Sequence, residues 1–356
     1  MKIKIFVSSL FLVILFSGCK ENKPVDTIKE RYLDFSKRDD QSTGGIKMIP
    51  ISTPIGTFNV WTKTVGNNPK IKVLLLHGGP GGTHEFFESL DGYFPQESIE
   101  YIYYDQLGSY YSDQPNDNRL WTTERFVEEV EQVRKALKLD NSNFYLMGQS
   151  WGGILAMEYA LKYQKNLKGL IISNMMANAP AYNKYAEDVL GPQLPKEIFD
   201  QIKTFEKNKD YKNPKYMEIL FKYYYSEHIL RKPIEQWPES INRAFKHLNP
   251  NVYVYMQGPS EFGITGDATL KNWDVTARLK TLTIPTLVIG SKYDTMDPKH
   301  MEWISNEVQN GRFLYCPNGS HCSQYDDQLH YFPGVISFLN DVNNGTFKKQ
   351  KSHQLQ

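Results

Sequence analysis

One stretch constrains the fold of this chain more than any other: Phe144-Tyr145-Leu146-Met147-Gly148-Gln149-Ser150-Trp151-Gly152-Gly153, followed by residues of helical spacing up to Tyr163. A short apolar run of strand-forming residues passes into a helix with no loop between them. In so tight a turn larger side chains clash, and the G-x-S-x-G spacing puts Gly148 and Gly152 where bare backbone is needed. The turn pushes the central serine above the sheet and aims the helix N-terminus at it. A serine hydroxyl is a weak nucleophile without a base, so this elbow calls for a histidine, and an acid to orient it, later in the chain. The plainer alternative is a serine in an ordinary strand–helix turn.

The surrounding pattern supports a parallel sheet. Lys72–His77 (KVLLLH), Tyr101–Asp105 (YIYYD), Phe144–Met147, Leu167–Ser173 (LKGLIIS), Ile284–Gly290 (IPTLVIG) and Arg312–Cys316 (RFLYC) are continuous apolar runs, as expected of strands buried on both faces. Thr57–Val65 alternates and reads as an edge strand. Thr123–Leu137 carries Phe126, Val130, Val133 and Leu137 on one helical face, with Thr122 or Thr123 as its cap. Strand and helix alternate until about Met176. The expected organisation is an α/β core over 46–176 and 281–342, interrupted by a mainly helical cap over 177–280 and followed by a polar tail at 343–356. The cap enters before the last two strands.

The elbow places its partners downstream in the order acid, then histidine. Asp294 follows the strand IPTLVIG, and His321 follows RFLYC. Asp297 is the rival acid; His330 is the nearest rival histidine, ahead of His300 and His353. His77-Gly78-Gly79-Pro80-Gly81-Gly82, directly after KVLLLH, offers bare backbone for an oxyanion. Gly79 is the expected first donor and the Trp151 N–H the second. The Trp151 side chain is expected at the mouth or floor of the site. The loop lacks both G-x-G-x-x-G spacing and a Gly-Lys-Ser/Thr ending, which disfavours phosphate binding. No His, Cys and carboxylate cluster has metal-ligand spacing, and no cofactor is implied.

Composition narrows the remaining classes. With 41 basic against 40 acidic residues in 356, the chain has neither the basic excess of a nucleic-acid binder nor the profile of a disordered segment. Three cysteines are too few to staple a fold of this size. Cys316 and Cys322 flank His321 and read either as a disulfide or as two free thiols. At the N-terminus, a basic Met1–Lys4 precedes an apolar Ile5–Phe16, too short to span a bilayer, and then Ser17-Gly18-Cys19. Residues 1–18 read as a signal peptide. The small-small-Cys ending resembles a bacterial lipobox, with Cys19 as the lipidated first residue and plain cleavage as the alternative. Residues 19–45 then form a tether, and the mature protein is expected to be exported, in the periplasm or anchored to a membrane through Cys19.

Together, His77-Gly78-Gly79-Pro80-Gly81, Tyr104-Asp105-Gln106-Leu107-Gly108-Ser109, Gly148-Gln149-Ser150-Trp151-Gly152-Gly153 and Gly319-Ser320-His321 resemble the proline iminopeptidase family of α/β-hydrolase serine exopeptidases. The likeness spans about Ile46 to Leu339. Ser109-Tyr110 departs from the relatives' small residue, Arg and Ser, with Ser112 one step out of register. The resemblance implies an α/β-hydrolase fold with a cap and release of the N-terminal residue, commonly proline, from small peptides with a free N-terminus. It also implies a cap carboxylate for the substrate ammonium, since a buried ammonium must be paired. Gly258-Pro259-Ser260-Glu261-Phe262 is similar to the relatives' amine-binding segment, so Glu261 is the candidate and Glu227 a weaker one. Some relatives add a glutamate after the catalytic aspartate; here that position is Thr295. Tyr223, Tyr224, Tyr225, Tyr253, Tyr255 and Trp273 are candidates to line a pocket. An esterase or amidase with the same triad and no amine anchor is the alternative.

Overall fold

The computed structural model describes residues 43–355, with Tyr32, residues 34–36, Arg38 and Asp40 ahead of them. The leader and Cys19 readings lie outside the described residues, as does most of the tether. Among the described residues no helix is long and apolar enough to cross a membrane.

Eight strands form one sheet in the order β1-β2-β4-β3-β5-β6-β7-β8. They are β1 (Ile46–Thr53), β2 (Gly56–Val65), β3 (Lys72–Leu76), β4 (Glu100–Asp105), β5 (Phe144–Gln149), β6 (Gly169–Ser173), β7 (Pro285–Ser291) and β8 (Asn310–Cys316). β1 and β2 run antiparallel to their neighbours, and every pair from β4 to β8 is parallel. Thr57–Val65 is therefore not the edge. β1 covers it, paired from Ile46↔Lys63 to Thr53↔Gly56. Pro50 hides this strand in the sequence, yet an edge strand tolerates a residue without a backbone N–H.

The apolar runs are buried because they serve two layers. Leu74 and Leu76 of β3 belong to an apolar layer that also takes in residues of the helices Thr123–Ala136, Trp151–Tyr163 and Pro298–Glu307. Val73 and Leu75 face the other way, toward Phe87, Leu90 and the helix Gln328–Asn343. Thr122 is the cap of the first helix, its side chain accepting the Arg125 N–H. Because the strands are parallel, the residues that follow β3, β4, β5, β6, β7 and β8 gather at one end of the sheet, where ligands bind in open α/β folds.

Between β6 and β7 the chain leaves the sheet for a helical layer that includes Ala179–Tyr185, Lys196–Lys207, Pro214–Leu220, Glu239–His247 and Pro250–Met256. Its own apolar cluster contains Tyr216, Tyr224, Trp237, Ile241 and Phe262. The two ends of the excursion meet: Val275 N–H donates to Ala177 O at 3.0 Å, and Ala179 N–H to Trp273 O at 2.9 Å. The layer docks on the core through charge. Arg243 pairs with Glu85 and, at 2.5 Å, with Glu88; His247 lies 2.9 Å from Glu85 and stacks on Tyr110 at 3.9 Å. The C-terminal stretch is also held. Glu302 accepts the Gln354 N–H at 2.7 Å and the Leu355 N–H at 3.1 Å.

Candidate active site

Ser150 sits between β5 and the helix Trp151–Tyr163 with φ 57° and ψ −127°. This left-handed conformation is a local strain held by the elements on either side. A Cβ on Gly148 would stand 1.9 Å from Gly152 O, and one on Gly152 would stand 1.9 Å from Leu76 O. The glycines of the motif are thus required by backbone approach. Ser150 lines a cavity of about 290 Å³ together with Gly78, Gly79, Glu261, His321 and Cys322.

His321 Nδ1 lies 2.7 Å from Asp294 Oδ1. Donation of the Nδ1 proton to that carboxylate leaves Nε2 of the neutral ring as the free base. Asp294 is fully buried, and its charge is met by donors: Met296 N–H at 3.1 Å and Thr295 Oγ1 at 3.3 Å on Oδ1, and Asn174 Nδ2 at 2.7 Å on Oδ2. Burial opposes charge on His321. The Asp294 carboxylate, with Glu261 and Asp326 farther off, outweighs it and holds the imidazole above its ordinary pKa. The histidine loop is clamped by the helical layer, with His321 N–H donating to His228 O at 2.9 Å and Cys322 N–H to Ile229 O at 2.8 Å.

The rivals have other duties. Asp297 caps the helix Pro298–Glu307, accepting the Lys299 N–H at 2.9 Å. His330 pairs with Asp327 at 2.7 Å, and His300 Nε2 accepts the Ala177 N–H at 3.2 Å.

Gly79 has φ +113°, and a Cβ there would meet Gly82 N at 2.5 Å. A Cβ on Gly78 would lie 3.0 Å from Ser150 Cβ, so the loop passes directly over the serine. Among the described residues, neither the Gly79 nor the Trp151 N–H has a backbone acceptor. Two buried side chains brace the loop. His77 donates from Nδ1 to Gly78 O at 2.8 Å and accepts the Gln106 N–H on Nε2 at 3.1 Å. That arrangement requires the neutral ring, and burial pushes its pKa down to about 4. Gln106 Nε2 donates to His77 O at 3.1 Å, and Gln106 Oε1 accepts the Trp151 indole N–H at 2.9 Å. The Trp151 side chain is therefore not at the mouth or floor of the cavity. It is buried in the core edge-on to Phe126, and only its backbone belongs to the elbow.

Glu261 reaches the cavity from the helical layer. Tyr253 OH donates to its Oε1 at 2.5 Å, Tyr182 OH to its carbonyl at 2.6 Å, and its own N–H donates to Tyr225 OH at 3.0 Å. Glu261 Oε2 is shielded from solvent and, among the described residues, has no hydrogen-bond partner. Burial raises the pKa of this carboxyl, while His321 and the Tyr253 hydroxyl oppose the shift. Glu227 is a different case and has to be withdrawn. Its side chain is 59% exposed and lies 3.6 Å from Arg231, outside the catalytic cavity. Its neighbour His228 turns inward, and one helical step carries Glu227 to the solvent side. Thr295, in place of a second glutamate, is buried 3.3 Å from Asp294. Of the aromatic candidates, Tyr225 and Tyr253 line the cavity. Tyr224 is core, and Trp273 donates to Glu158 at 2.9 Å. Among the described residues, Cys316 and Cys322 are free thiols and form no disulfide.

Most of the apolar part of the cavity wall escapes sequence reading: Phe86, Met217, Phe221, Phe245, Leu248 and Val254 come from segments brought together only by the fold. Asn174 was missed too, although an Asn directly after an apolar strand is a residue type that tolerates its left-handed φ of 53°.

A mostly parallel sheet with a serine elbow after one strand, and an aspartate–histidine pair after two later ones, defines an α/β-hydrolase. A profile described as the alpha/beta hydrolase fold matches residues 72–328. The chain belongs to the proline iminopeptidase family. It is 60% identical over 297 residues to a proline iminopeptidase of Flavobacterium johnsoniae, covering 83% of this chain and 99% of that one. It is 58% identical over 300 residues to a proline iminopeptidase of Elizabethkingia meningoseptica, covering 84% and 100%. A crystal structure of proline iminopeptidase from Mycobacterium smegmatis superposes with a TM-score of 0.74 at 27% identity, over 84% of this chain and 99% of that one.

Proposed function

We propose that this chain is an exported serine aminopeptidase that releases the N-terminal residue of small peptides, with proline preferred. The observation that carries the reading is the unpartnered Glu261 Oε2 in the same cavity as Ser150 and His321. A shielded carboxylate oxygen without a donor is a site for a cation, and the substrate ammonium supplies one. The mostly apolar wall around it suits a small hydrophobic first side chain. The family relatives, named as proline iminopeptidases, support proline as that residue.

In this mechanism His321 takes the Ser150 proton as the serine oxygen attacks the first carbonyl carbon. Asp294 holds the imidazole and stabilises the imidazolium. The Gly79 and Trp151 N–H groups meet the oxyanion. His321 then protonates the leaving amine, giving an acyl-enzyme, and activates the water that releases the amino acid. Export rests on the leader of residues 1–18, with Cys19 as the anchoring residue.

A panel of aminoacyl-naphthylamides with N-acetylated controls tests the reading. Rapid cleavage of the prolyl substrate, with acetylated partners near background, is expected. Equal cleavage of acetylated substrates would point instead to an esterase or amidase without amine recognition.

The pH profile offers a further check. His321 must be neutral to act as base, and its pKa is raised. Activity should therefore be present above that raised value and fall away below it, with an acid limb lying above the ordinary imidazole pKa of about 6.5. Glu261 must be charged to hold the amine, and its pKa is also raised. Below the pH at which Glu261 takes up its proton, the fall for prolyl substrates should thus be steeper than for an ester without an amine. Coincident limbs for the two substrates would count against the role of Glu261.

A further inference from the structure

We propose that Asn249 is a positioning residue that sets the oxyanion loop in register with the helix bearing the amine anchor's support, an inference that rests on the aminopeptidase reading above. Asn249 precedes the helix Pro250–Met256 and touches three separate pieces of the site. Its backbone N–H donates to Gly81 O at 2.8 Å, in the loop that carries Gly79. Its side-chain Nδ2 donates to Gly108 O at 2.8 Å, in the loop that carries Gln106. Its side-chain Oδ1 accepts the Asn251 N–H at 3.0 Å and so caps the helix.

Each contact leads to reacting groups. Gln106 bonds both His77 and Trp151, so the Gly108 loop braces the carriers of both proposed oxyanion donors. The capped helix presents Tyr253, whose hydroxyl holds Glu261 Oε1. The approach is close enough to require glycine in both loops. Gly81 and Gly108 have φ +75° and +87°, and a Cβ on either would stand 3.1 or 3.0 Å from Val252, three residues after Asn249. A substrate is fixed at its amine by one side of this junction and at its reacting carbonyl by the other. Their spacing must match the short distance between those groups in one residue, and small misplacements of a reacting group can cost about 100-fold in rate.

The test compares N249A with N249D on prolyl-naphthylamide. Alanine removes both the cap acceptor and the Gly108 donor. Aspartate keeps the cap acceptor and the backbone bond to Gly81 but has no amide for Gly108 O. Both variants are expected to lose about 10- to 100-fold in kcat with KM within about threefold. Both variants lose the Gly108 bond and are expected to lower Tm. If N249D keeps kcat within about twofold of the parent, or if both variants raise KM at unchanged kcat, the proposal fails. The parent enzyme's preference for free over acetylated substrates is read separately. Its absence would remove the aminopeptidase reading while leaving the kcat comparison interpretable, since the same oxyanion forms on either substrate.

Discussion

Ser150→Ala should abolish turnover of prolyl-naphthylamide, with kcat falling about 10⁴- to 10⁶-fold, as removal of a serine nucleophile does in other triad hydrolases. The substitution deletes one oxygen from a strained turn and leaves the flanking glycine contacts intact, so Tm should hold or rise slightly. Binding of free proline as product should persist, because Glu261 and the cavity wall are untouched. The measurement is kcat beside product affinity by calorimetry. A residual rate within about 100-fold of the parent would mean that another group is the nucleophile. Cys322 is the nearest alternative in the cavity, and burial raises its pKa far above the range in which a thiolate forms.

The second large effect is expected at Glu261. Glu261→Gln preserves size and the acceptor for Tyr253, and turns the unpartnered oxygen into an NH₂ that faces the substrate amine. Loss of one partner from a shielded charge pair costs about 2–5 kcal/mol, or roughly 30- to 5,000-fold in kcat/KM for substrates with a free amine. A simple ester without an amine should be affected less than about threefold, because the triad and the loop over Ser150 are unchanged. Paired kinetics on the two substrates decide it. Equal losses on both would make Glu261 a structural support rather than an amine anchor. Glu227→Ala should change neither rate, given its exposure and its distance from the cavity.

What was legible in the sequence follows from where local chemistry is decisive. The elbow, the glycine loop and the Asp294 and His321 positions each lie at the end of an apolar run, and backbone crowding dictates their residue types. Gly148 and Gly152 could be placed because only glycine fits there. β1 was missed because its proline weakens the strand pattern and its pairing partner, not its own composition, makes it a strand. The Trp151 side chain was misplaced because adjacency to the nucleophile fixes the backbone but not the side-chain direction. Gln106 drew it inward. Glu227, the weaker amine-binding candidate, drops out for a similar reason. The sequence puts it beside His228, but a helix sends neighbours to different faces. The cavity wall was out of reach because residues from Phe86 to Val254 meet only through tertiary packing. The Glu85, Arg243 and His247 cluster left no local signal either, since Glu85 lies more than 150 residues from both of its partners in sequence.

The hydrogen bonds from His321 and Cys322 to the carbonyls of His228 and Ile229 bear on how such an enzyme diversifies. An insertion joined to its host only at its two ends behaves as an exchangeable module, free to be traded between relatives to change substrate range. Here the inserted segment also shapes the backbone beside the base. Grafting a foreign cap would disturb the histidine loop unless the donor supplied equivalent carbonyls, so chimeras that keep 226–231 with the host core should retain chemistry where full exchanges lose it. Substrate range in this lineage is then expected to drift by substitution within the cap rather than by its replacement.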